Sequence, residues 1–202
     1  MRSLQPVQDS PRERVPDDAL AAVWIMRIAT GDRTAFERLY RAYERRLFGF
    51  LTRLVGPDSA EDVFSDVMVE VWNKANRFRA TGKASAWLFS IAHHRGIDAL
   101  RRARRAPALI PELELGTAAE PGPGPESLAV EQAEVAALGA ALAKLSPEHR
   151  AVVELTFIHG FSLSEVAQIV NAPLGTVKTR VFHARKRLRS ILEASGYRRE
   201  TL

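Results

Sequence analysis

The residues of this chain best suited to chemistry are cations, and they fall into two runs. Residues 175–190 carry six Lys/Arg and no acid, and residues 74–105 carry nine against the single Asp98. Cations massed in this way suit an anionic polymer such as nucleic acid. A third group has the opposite sign. Asp62, Asp66 and Glu70 stand four apart, so a helix sets them on one ridge, which suits either a solvated face or a basic helical partner. No catalytic arrangement emerges. His93 and His94 are adjacent, and neighbours on a helix point about 100° apart. Ile97 and Asp98 follow, so nothing one turn on completes a metal site, and His149, His159 and His183 fall in other elements. With no phosphate loop, nucleophile motif or paired carboxylates, the chain is expected to be no enzyme and to hold no cofactor or metal.

These residues need a scaffold, and 202 residues with 46% apolar and 26% charged content supply one ordinary domain or two small ones. The net charge is +5 and the pI about 10.0. Cysteine is absent, which removes disulfide frameworks and thiolate zinc sites. The first residues lack the apolar stretch of a secretory signal, and no apolar run approaches a membrane span, so a cytoplasmic location is expected.

Apolar residues recur at three and four, with almost no strict alternation, which predicts an all-α chain. A helix is expected from Asp17 or Asp18 to about Thr30, and a second from Gly31-Asp32 to the stop at Gly56-Pro57. A third, capped by Asp58 or Ser59, should reach about Asn76, and a fourth should run from about Ser85 to Arg104. Residues 106–125 hold five prolines and three glycines, which no continuous helix tolerates. The expected organisation is a flexible tail over 1–16, a helical domain over 17–105, a flexible Pro/Gly-rich linker over 106–127 and a second helical domain over 128–202. Helices in the last part are expected near 126–144, 147–159, 162–170 and 174–194.

Ser162 and Glu165 form a capping-box pattern at the start of a short amphipathic helix. Asn171 to Gly175 make a turn, and Thr176 opens the long basic helix. This is the helix-turn-helix signature, whose second helix enters the major groove. Val177, Val181, Ala184, Leu188 and Ile191 share one stripe, while Thr179, Phe182, His183 and Lys186 point away from it. The helix is expected to touch duplex DNA, with Phe182 suited to a thymine methyl.

Four stretches then carry a resemblance: DRTAFERLYRAYERRLFGFL (32–51), AEDVFSDVMVEVW (60–72), ASAWLFSIAHHRGIDALRR (84–102) and 145–189, in that order across the Pro-rich linker. The chain resembles the extracytoplasmic-function (ECF) sigma factors, bacterial initiation factors of the sigma-70 family. The resemblance implies a sigma2-like first domain and a sigma4-like second domain, binding core RNA polymerase and promoter DNA. Asp62, Ser65, Asp66 and Glu70 become contacts for the β′ clamp helices, with the β subunit a further partner. Phe78, Lys83, His93, His94, Arg95, Arg101 and Arg102 become candidates for the −10 element, where a loop captures a flipped base. Trp87 is expected in the core. Lys178, Thr179, Phe182 and His183 match base-reading positions for the −35 element; Arg180 and Arg185 should hold phosphates, and Lys186 lies on the same face. An anti-sigma factor wedged between the domains is the expected inhibitor. The family usually has Gln at Ser65, Arg-Asn at His93-His94 and often Arg at His183. The alternative is a stand-alone helix-turn-helix regulator.

Overall fold

The computed structural model describes residues 17–105 and 139–194, and all regular structure within them is helical. The tail over 1–16, the linker over 106–127 and the start of the helix expected near 126 lie outside the described residues.

Helix α1 (Asp18–Ile28) begins where the Asp17 carboxylate accepts the Ala19 N–H. Helix α2 (Arg33–Val55) is capped by Asp32, which accepts the Ala35 N–H at 3.0 Å and pairs with Arg27 at 2.6 Å. Gly56 ends α2 at φ 90°, a left-handed value that glycine reaches without a Cβ clash. Helix α3 (Pro57–Lys74) differs from expectation at both ends. Neither Asp58 nor Ser59 caps it; Gly56 is the N-cap without a side-chain bond, and Pro57 enters the first turn, where a missing N–H is harmless. It stops at Lys74, and the chain tightens into one 3₁₀ turn, Ala75–Arg77. Helix α4 spans Ala84–Arg105.

These four helices share a core built on Leu39, Tyr43, Leu47 and Phe50 of α2, Val67 and Val71 of α3, and Leu88 and Ala92 of α4. Edge-to-face rings join α2 to α3, Phe36 on Trp72 and Tyr40 on Phe64, each pair 5.4 Å apart. Trp87 is partly buried and packs against this core, its ring 5.4 Å from Phe78. Where α4 crosses α2, Gly96 permits contact: a Cβ there would stand 2.6 Å from Leu54 Cδ2.

The second half comprises α5 (139–143), α6 (Pro147–Val153), a π turn (Glu154–Ile158), α7 (Leu163–Ile169) and α8 (Leu174–Ala194). The α7 capping box forms in both directions between Ser162 and Glu165. Helix α8 covers the range 174–194 expected for it, and the turn before it ends two residues ahead of Thr176. Asn171 takes the left-handed conformation at φ 49°, which asparagine tolerates, and Leu174 rather than Thr176 opens α8, so Gly175 is already helical. Leu142, Leu145, Val153 and Ala184 form a small satellite core between α5, α6 and α8. The main core continues from α2 and α4 into the second half through Leu155, Phe161, Val166 and Ile169.

Candidate nucleic-acid interface

Helix α8 sorts its residues as a groove-reading helix requires. Val177, Val181 and Ala184 are buried, with Leu188 and Ile191 half-buried beside them. Lys178, Thr179, Phe182, His183, Arg185 and Lys186 are exposed, and Arg180 is half-buried. Phe182 is 65% exposed, a large apolar ring among cations. The Thr179 hydroxyl donates to the Gly175 carbonyl at 3.0 Å, and the Arg185 guanidinium lies over the Phe157 ring.

The residues expected at the −10 element do not form one open face. His94, Arg101 and Arg102 are exposed, and Arg95 is half-buried. Arg95 and Lys74 both bond the Glu70 carboxylate. Phe78 is buried against its own domain. His93 is buried as well, at 7% exposure, with Glu148 and Arg180 of the second half among its charged neighbours. Burial, with His94 and Arg180 nearby, pushes its pKa down to about 4. Lys83 is exposed but pairs with Glu165 of α7 at 3.0 Å.

The acidic ridge is likewise uneven. Asp62 and Ser65 are exposed, and Asp66 stands 3.9 Å from Arg102. Glu70 is drawn inward: burial raises its pKa, but hydrogen bonds from Lys74 and Arg95 outweigh that and hold it below the ordinary value. Beside the ridge runs an apolar trough of about 400 Å³ lined by Phe36, Tyr40, Phe64, Ser65, Met68, Val69 and Trp72. The four-residue spacing of the acids was legible in the sequence, and the trough beside them was not. Its signal was Val69, an apolar residue on the helix face away from the core, 60% exposed.

A seam between the two halves was also missed. Arg53 of α2 donates to Glu154 Oε2 at 2.9 Å. Arg150 donates to the Arg53 carbonyl and to the carbonyls of Leu142, Ala143 and Leu145, closing α5 onto α2. The His159 ring lies 4.4 Å from Phe89 and 5.9 Å from Phe50, and Phe161 lies 5.3 Å from Phe89. Burial pushes Glu154 up to about 7 despite Arg53 and Arg150. Burial also pushes His159 down to about 3, helped by Arg46 and Arg53. The sequence did hold a hint in Trp87, Leu88, Phe89, Ile91 and Ala92, since a helix apolar over so wide an arc packs on two sides.

A helix-turn-helix with an exposed basic face, joined to a second helical domain that carries an apolar trough, has the form of a DNA-binding protein. Comparison gives the family. Residues 39–106 match the pattern described as Sigma-70 region 2, and residues 136–188 that described as Sigma-70, region 4. The chain is 35% identical to the ECF RNA polymerase sigma factor RpoE of Cereibacter sphaeroides, covering 78% of this chain and 86% of that protein. It is 31% identical to the ECF RNA polymerase sigma factor SigL of Mycobacterium tuberculosis, over 85% and 96%. Its fold is similar to the sigma factor RpoE of Bartonella quintana, solved with the anti-sigma factor NepR, at TM-score 0.65 and 26% identity over 78% of this chain and 96% of that one. CnrH, solved with the cytosolic domain of CnrY, shares the fold at TM-score 0.61 and 24% identity, over 87% and 98%. The chain belongs to the ECF RNA polymerase sigma factors, which bind core RNA polymerase and direct it to promoters. No helix among the described residues is long and apolar enough to cross a membrane.

Proposed function

We propose that this sigma factor reads its promoter through two separate surfaces and docks to polymerase through a third. The observation that carries the reading is the exposed face of α8, where Lys178, Thr179, Phe182, His183 and Lys186 stand together without an acid. That face reads the −35 element, with Arg180 and Arg185 holding phosphates. His94, Arg95, Arg101 and Arg102, with Lys83 and His93 once uncovered, grip the −10 strand. Asp62, Ser65 and Asp66 flank the trough of Phe64, Val69 and Trp72, which suits an amphipathic basic partner such as the β′ clamp helices. The chain performs no catalysis itself and works in the cytoplasm. An anti-sigma factor controls it, a reading supported by its likeness to the RpoE solved with NepR.

The test is gel filtration of the purified chain with bacterial core RNA polymerase in the absence of DNA. Co-elution is expected, and selection of promoter sequences by the complex follows from it. Failure to co-elute, with sequence-specific binding of duplex DNA by the chain alone, overturns the reading in favour of a stand-alone regulator.

A further inference from the structure

A second opening lies wholly in the latter half of the chain, and the charge around it has one sign. It measures about 210 Å³, and its polar lining is Lys144, Ser146, His149, His183 and Arg187. Lys144 comes from the turn after α5, His149 from α6, and His183 and Arg187 from α8, so three elements converge. No acid lines it. The adjacent Glu148 has Arg180 and Arg104 as its charged neighbours instead. On the first domain Lys74, Lys83, Arg95 and Arg102 each meet a carboxylate. By contrast, no ion pair among the described residues engages Lys144, His149, His183 or Arg187.

Basic side chains gathered without an acid raise a local positive potential that an anion relieves. The donors suit an oxyanion, since Arg187 offers a planar fork and Lys144 a compact ammonium. Ser146 Oγ holds His149 Nδ1 at 2.8 Å, which leaves Nε2 as the ring nitrogen for a ligand. The volume falls below the roughly 300–1,000 Å³ of small-molecule sites, so it fits a single charged group presented by something larger. His183 shows what presents that group. Its side chain borders the cavity, and its ring meets the Phe182 ring at 5.4 Å. Both residues belong to the exposed face of α8 assigned to duplex DNA, so the cavity continues that face. Arg187 follows His183 by one turn, about 6 Å along the axis. A helix laid in the major groove runs between two sugar–phosphate backbones, whose oxygens take most protein–DNA hydrogen bonds.

We propose that Lys144, His149 and Arg187 hold a backbone phosphate of duplex DNA beside the bases read by α8, carrying the footprint from the reading helix onto the turn between α5 and α6. The inference deepens the assignment of the α8 face to duplex DNA and rests on it. The contact positions the reading helix and carries no sequence preference of its own.

The test is fluorescence anisotropy of the full chain on a labelled mixed-sequence duplex of about 20 base pairs, two helical turns, titrated from about 50 to 200 mM salt. Lys144→Ala and Arg187→Ala remove exposed side chains. Each should lower affinity about three- to tenfold and flatten the plot of log affinity against log salt by about 0.9, the loss of one phosphate. The double variant should flatten it no further, because both side chains hold the same group; a loss twice as large overturns the shared pocket. Arg189→Ala controls for net charge, since Arg189 is exposed two residues on and pairs with Glu193 at 2.7 Å. It should leave the slope unchanged. Equal losses from Arg187→Ala and Arg189→Ala overturn the pocket, because charge alone then accounts for both. Pocket variants that bind duplex normally but lose polymerase co-elution overturn it in favour of an acidic protein partner. Lys178→Ala, measured alongside, separates this inference from the reading beneath it. Weakening by Lys178→Ala alone removes the phosphate pocket and keeps the α8 face. Failure of the unaltered chain to bind the duplex removes both.

Discussion

Arg53 and Glu154 stand 101 residues apart in the chain and meet at 2.9 Å, the first on α2 and the second on the π turn that follows α6. The Glu154 side chain is almost wholly buried and that of Arg53 is about one-third exposed. Solvent therefore screens one end of the pair, while the other depends on its partner. Removing the arginine alone strands a buried carboxylate. Arg53→Ala should lower stability by about 1–3 kcal/mol, whereas Arg53→Met with Glu154→Leu should be close to neutral. Urea unfolding of the single and double variants measures this, and equal losses in all of them would show that the pair does not couple.

The seam should also respond to pH, through groups that pull in opposite directions. Glu154 is raised from 4.5 to about 7 by burial, against Arg53 and Arg150. The folded chain keeps a proton there that the unfolded chain releases, so this group's contribution is present at low pH and is lost as pH rises from 4.5 to 7. His93 is lowered from 6.5 to about 4 by burial near His94, Arg180, Glu148 and Arg101. His159 is lowered to about 3 by burial near Arg46 and Arg53. The unfolded chain takes up those two protons first, so their contribution is present above 6.5 and lost on acidification. Two protons outweigh one, and stability should rise from pH 4.5 to 6.5 by about 1 kcal/mol per unit. Thermal unfolding across pH 5–8 should give a maximum near 6.5 to 7, and His159→Asn should flatten the acid side. A melting temperature that climbs steadily on acidification would refute the assignment.

Gly96 marks the closest approach of α4 to α2. Alanine suits a helix better in the abstract, but its Cβ would press on Leu54 Cδ2. Gly96→Ala should therefore cost about 1–3 kcal/mol from overpacking rather than yield the usual helix gain. Denaturant midpoints at constant m-value test it, and a stabilised variant would mean that Leu54 moves aside freely.

Phe182 is exposed and makes one ring contact, with its neighbour His183 at 5.4 Å. Phe182→Ala should leave the melting temperature within about a degree while weakening duplex recognition by the α8 face about tenfold, a loss of roughly 1.4 kcal/mol. Lys178→Ala should behave alike. Joint loss of DNA and polymerase binding would instead indicate misfolding.

On α3, Asp62→Lys with Asp66→Lys reverses two exposed charges without touching the core. Polymerase binding should fall below detection in gel filtration while the circular dichroism of the fold stays unchanged. Val69→Asp, placed in the trough, should do the same through apolar area rather than charge. Holoenzyme assembly by both variants would move the docking surface elsewhere.

The local elements were legible because their causes are local. The Ser162–Glu165 capping box, Asp32 before α2 and the valine stripe of α8 act within a few residues of themselves, so periodicity and capping chemistry alone determined the helices and the outward face carrying Lys178 and Phe182. The cations of α8 and the order of the four matching stretches likewise determined the family. Tertiary structure decided what each exposed-looking residue is free to do. His93 and Lys83 read as DNA contacts in the sequence, yet the first is buried with Arg180 and Glu148 among its charged neighbours, and the second pairs with Glu165 of α7. Glu70 read as one of three equivalent acids, yet Arg95 from α4 and Lys74 claim it. Burial and ion pairing depend on residues tens to a hundred positions away, and no local pattern encodes which distant side chain will arrive.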